Sequence, residues 1–115
     1  NLAPVPDLAM AFVNIGRHDY AIRTYQAARE KTRNKQLYFT EVVGVYQAMG
    51  DYNAMTQEYF SLLDSQPRMI SSVQINMQKA MAEAPDDRLA EGVKQALVQR
   101  VREHPDNQTY LEMMI

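Results

Sequence analysis

With 115 residues, 46% of them apolar and 23% charged, the chain has the composition of an ordinary globular protein, and its length favours a single domain. No apolar run approaches the roughly 20 residues a helix needs to cross a bilayer, so membrane insertion is not expected. A net charge of −2 gives no general attraction to nucleic acid or anionic lipid, and zero cysteines remove disulfides, thiol nucleophiles and thiolate metal sites together.

In chain order, Asn1 to Pro6 with its "APVP" reads as an extended lead-in, and Asp7 as the cap of a first helix reaching Ile15 and stopped by Gly16. A second helix is expected over 19–32, with Tyr20, Ile22, Tyr25, Ala28 and Arg29 at helical spacing and "REKTRNK" as its exposed end. The third covers 36–49, with Phe39, Val42, Val43, Tyr46 and Met49 on one stripe, and stops at Gly50. A fourth runs over 52–65, before Pro67. The fifth, 69–84, gathers Ile70, Val73, Met77, Ala80 and Met81 on one face. The sixth spans 87–104 with Asp86 or Asp87 as cap, and "PDN" at 105–107 opens a seventh. Nothing alternates like a strand, so the class is all-α, in antiparallel pairs joined by short turns.

The chain also repeats itself. Gly16 and Gly50 are 34 residues apart, as are Phe12 and Tyr46, His18 and Tyr52, Tyr25 and Tyr59, and Ala28 and Leu62. A fixed period of this length marks stacked helix pairs. Val5, Leu8, Ala9 and Phe12, echoed by Phe39, Val42, Val43 and Tyr46, resemble the first-helix pattern of the tetratricopeptide repeat family. Ala21, Tyr25 and Ala28, echoed by Met55, Tyr59, Leu62 and Pro67, resemble its second-helix pattern.

The resemblance implies a right-handed superhelical solenoid of about three helix pairs plus the start of another, in one domain over 1–115. Repeat one covers about 2–35, repeat two 36–69, an irregular repeat three 70–105, and a truncated next helix 106–115. Met55 and Leu62 replace the family's small residues, which implies looser packing with Val43 and Gly44 opposite. In the third repeat "APDD" stands where a glycine turn is expected. The succession of "EYFSLLDSQP", "SSVQINMQKAM" and "HPDNQTYLEMMI" is similar to the large exported tetratricopeptide proteins of Bacteroidetes-type bacteria. That implies the periplasm or cell envelope; the residues alone suit the cytoplasm equally. Both ends read as cut from a longer chain, with Tyr110, Leu111, Met114 and Ile115 expected to lie uncovered at a C-terminal edge available to flanking repeats or to self-association.

By the same resemblance a concave face is lined near Met10 and Asn14, then by Thr40, Glu41, Gly44 and Gln47, then by Ser71, Gln74 and Gln78. Its polar, mostly uncharged lining suits hydrogen bonding to a protein or peptide, with Gly44 permitting close backbone approach. An ordinary solvated helix face would use the same residue types. Family members that clamp a terminal carboxylate use Lys and Asn a turn apart; the matching positions hold Thr40 and Gly44, and only the displaced pair Asn76 and Lys79 is similar, so no such clamp is expected.

The basic run Arg29, Lys31, Arg33, Lys35 reads as a solvated helix end that complements the helix dipole, with no interleaved aromatics to stack bases. His18 and His104 lack companions at metal-ligand spacing, and the pair Asp86 and Asp87 at a helix start is explained by capping. With no phosphate loop, serine elbow or zinc helix, neither catalysis nor a cofactor or metal is expected. Met49, Met77 and Met81 fall on core stripes. The expected function is a non-catalytic protein–protein interaction scaffold; the alternative is a structural spacer with no groove ligand.

Overall fold

The computed structural model describes residues 4–114, and the expectations for Asn1–Ala3 and Ile115 lie outside that range. Among the described residues the protein is all-α: α1 (Val5–Asn14), α2 (His18–Thr32), α3 (Phe39–Met49), α4 (Tyr52–Ser65), a 3-10 turn (Pro67–Met69), α5 (Ile70–Glu83), α6 (Arg88–Glu103) and α7 (Gln108–Met113). No helix is long and apolar enough to cross a membrane. The chain divides into two compact units at Asp51/Tyr52, so α3 and α4, which the sequence reading pairs within repeat two, belong to different units.

Unit 1 is built on α1 and α2, which fold back on one another through Ile15–Arg17. Ala9 and Ala21 are wholly buried, and having only a methyl group they let the two backbones approach closely. Phe12 and Tyr20 meet at 5.3 Å between ring centroids near the turn. α3 packs on α2, with Val42 and Val45 against Ile22 and Tyr25, and Tyr25 tilted on Tyr38 at 5.2 Å.

The 34-residue echo reappears in the hydrogen bonds that end the helices. After α1, Gly16 N–H donates to Val13 O (3.0 Å) and Arg17 N–H to Phe12 O (2.8 Å); after α3, Gly50 N–H donates to Gln47 O (3.1 Å) and Asp51 N–H to Tyr46 O (3.0 Å). Both glycines are left-handed, with φ of +80° and +73°. This is the cap that closes two orphan carbonyls at a helix end. α2 ends in the same pattern without glycine: Arg33, at φ 56°, donates to Glu30 O, and Asn34 to Arg29 O.

Several boundaries differ from expectation. α1 starts at Val5, because proline is tolerated in a first helical turn, and Asp7 sits inside that turn rather than capping it. α3 starts at Phe39, not Gln36. Asn34 Oδ1 accepts from Gln36 N–H (3.1 Å), Arg29 Nε donates to Leu37 O (2.8 Å), and Tyr38 is left-handed at φ 58°, so these groups are committed to a turn. Arg29 is therefore half-buried and tied to that turn instead of being a solvated helix end. Met49, expected in the core, is 43% exposed, because its stripe runs out at the Gly50 turn.

In unit 2, α4 is the central helix and buries Met55, Thr56, Tyr59, Phe60, Leu62 and Leu63. The flexible Met55 is only 1% exposed and Leu62 7%, so both are buried within this unit. Around α4 lie Val73, Met77 and Ala80 from α5, and Leu89 and Val93 from α6. α6 lies chiefly on α4. The chain leaves α5 through an extended Ala84 (ψ 145°), whereas α1 and α3 end in left-handed glycine turns. Asp86 performs the capping expected of "PDD": its carboxylate accepts from Arg88 N–H (3.0 Å), whereas Asp87, next to the helix, makes no such bond. At α7 the expected cap is present, with Asn107 Oδ1 accepting from Thr109 N–H at 3.0 Å.

Tyr110 corrects the expectation of a bare C-terminal edge, being 1% exposed. Its ring meets Phe60 edge-on at 5.2 Å, and its hydroxyl proton is shared between Asp64 Oδ1 (2.5 Å) and Phe60 O (3.2 Å). Arg100 pairs with Asp64 at 2.9 Å and reaches Gln57 Oε1 at 3.1 Å, joining α6 to the same point of α4. Leu111 is half-buried and Met114 is 50% exposed.

Candidate partner-binding face

The sequence-predicted face draws on α1, α3 and α5. At 100° per residue, Thr40, Gly44 and Gln47 follow one line along α3, with Glu41 beside it, opposite Val42 and Val45. The valines bury their side of the helix against α2, and this leaves Thr40, Glu41 and Gly44 exposed and Gln47 half-buried. Glu41 lies near enough to Tyr25 for its charge to help raise the phenol pKa, after the larger effect of burial.

Gly44 is in ordinary helical conformation, and a Cβ placed there would meet nothing within 4 Å. The fold therefore does not require glycine. Helical glycine costs about 1 kcal/mol relative to alanine, and no internal packing offsets it. Gly92 on α6 is equally open but only half-exposed, between the buried Leu89 and Val93.

On α5, Ser71 and Gln78 are exposed and Gln74 half-buried, on the side away from Val73, Met77 and Ala80. Ile75, which the sequence pattern did not single out, is 65% exposed at the edge of this polar stripe. The helical angle could have found it, since it falls about 40° beyond Ser71 and opposite the core stripe of Val73, Met77 and Ala80. On α1, Met10 is 55% exposed and Asn14 is exposed. Asn76 and Lys79 are both exposed on α5.

Elsewhere several charged groups are tied to local structure. The Arg17 guanidinium pairs with Asp19 at 3.1 Å, holding that carboxyl below the usual carboxylate range. The Arg88 backbone N–H and then its guanidinium do the same for Asp86. His18 is half-buried at the start of α2 and His104 exposed after α6. Among the described residues no three His, Asp or Glu side chains gather as metal ligands would, and no buried side-chain polar atom lacks a hydrogen-bond partner.

Compared with known proteins, the chain matches no family model, no curated sequence and no solved structure.

Proposed function

We propose that this chain is part of a tetratricopeptide-like solenoid that acts as a non-catalytic protein–protein interaction scaffold, and that it docks a protein or peptide through the outward stripe of α3. Support for the repeat comes from the two equivalent caps, Phe12 to Arg17 and Tyr46 to Asp51, which use the same four backbone positions 34 residues apart. The single observation that carries the binding reading is Gly44. An exposed helical glycine with open space at its Cβ lets a partner approach the backbone, between the hydrogen-bonding side chains of Thr40 and Gln47.

Gly44→Arg tests this cleanly. Arginine is a better helix former than glycine by up to about 1 kcal/mol, so thermal stability should hold or rise while the bulky side chain obstructs the stripe. In a pull-down with this chain as bait, capture of the partner seen with wild type should be lost. Capture that survives in the folded variant would move the site away from α3, with the open position at Gly92 next to be substituted. If folded wild type captures nothing, the chain is a structural spacer.

A further inference from the structure

Unit 1 carries a second feature, on the side where α1 and α2 leave an open groove of about 490 Å³ that no α3 residue lines. Its apolar floor includes Leu8, Phe12 and Ala27, and Leu8 is 51% exposed. The α2 wall is low because Thr24, Ala27 and Ala28 are small, so another helix could approach to the 8–10 Å typical of packed helices. Two cations stand on that wall, Arg23 and Lys31, one turn either side of Ala27 and about 12 Å apart along the axis. No acidic residue lines the groove, and neither cation is ion-paired among the described residues.

The nearby Arg17 is already paired with Asp19. Arg23 is partly positioned: its guanidinium lies 5.4 Å from the centroid of Tyr20, whose ring leans on Phe12. In a chain of net charge −2 the only charged side chains that line this cleft, among the described residues, are thus the two cations; Asp7, Asp19 and Glu30 lie near it on α1 and α2 but outside its lining.

We infer that the α1/α2 groove docks an acidic amphipathic helix of a partner polypeptide. Leucine-like side chains on one stripe of that helix enter over Leu8 and Ala27, and carboxylates two turns apart meet Arg23 and Lys31. The apolar floor provides the burial, and the paired cations select an acidic helix over a basic one.

The test uses a labelled synthetic helical peptide, with leucines along one stripe and glutamates on both flanks, beside a version with lysine for every glutamate. Fluorescence anisotropy should show wild type binding the glutamate peptide, more weakly as salt rises, and not the lysine peptide. Arg23→Glu with Lys31→Glu should weaken the glutamate peptide by at least about tenfold and admit the lysine peptide. Ala27→Trp, at an exposed helical position, keeps both cations but fills the groove; it should abolish binding with an unchanged melt. Arg33→Glu with Lys35→Glu, outside the groove, should change affinity by no more than about twofold. Equal binding of the two peptides, full binding by Ala27→Trp, or no binding of the glutamate peptide by wild type would overturn the inference. So would sedimentation showing self-association that Ala27→Trp removes, because a second copy would then be the occupant.

Discussion

Two glycines and one arginine occupy the same left-handed position after a helix, and only the arginine has a side chain to strain there. A Cβ at Gly16 or Gly50 would meet no neighbour, so Gly16→Ala and Gly50→Ala should each cost about 1–2 kcal/mol from backbone conformation alone. Arg33→Gly should instead stabilise unit 1 by roughly 0.5–1 kcal/mol. Chemical denaturation of the three variants checks this pattern; equal effects of one sign at all three positions would contradict it. The glycine turns were legible because only glycine adopts φ near +75° without cost. Arg33 and Tyr38 were not, since nothing in their side chains announces a left-handed backbone.

Among the elements, α7 shows where sequence periodicity stops helping. Its stripe suggested an apolar edge, but Tyr110 is held by Asp64 and Phe60, 46 and 50 residues earlier, and no pattern within one helix encodes such a contact. Tyr110→Phe keeps the ring on Phe60 and removes the hydroxyl, leaving Asp64 with Arg100; the expected loss is about 1–2 kcal/mol. Burial, with the hydrogen bond to Asp64 second, pushes the Tyr110 phenol far above its ordinary value of 10.0, and burial also raises Tyr25 and Tyr59. In each case the folded pKa exceeds the unfolded one. The stabilisation is therefore complete below pH 10 and is lost above it, as the unfolded chain releases protons that the folded chain retains. Melting temperature should fall as pH rises past 10, and less steeply in Tyr110→Phe. A flat profile to pH 11 would contradict this assignment.

At the scale of the molecule, helix order and most boundaries were readable from glycine, proline and apolar spacing, and the structure contains those helices. What packs on what was less legible. Tyr25 and Tyr59, one period apart, are 3% and 5% exposed, but each belongs to a different compact unit. Truncating either to alanine should cost roughly 3–5 kcal/mol, and a loss under about 1 kcal/mol at either would mean that ring is not core. The candidate face was legible as a stripe of α3, since Thr40, Gly44 and Gln47 fall opposite Val42 and Val45 on any regular helix. The groove was not, because it depends on how α1 and α2 meet.

The claim that matters most is that the exposed stripe of α3 meets a partner. Backbone amide shifts of the isotope-labelled chain, recorded while the captured partner is titrated in, test it most directly. Perturbations should concentrate at Thr40, Glu41, Gly44 and Gln47, and be absent in Gly44→Arg. Perturbations confined to α6, or none at these four residues at saturation, would contradict it.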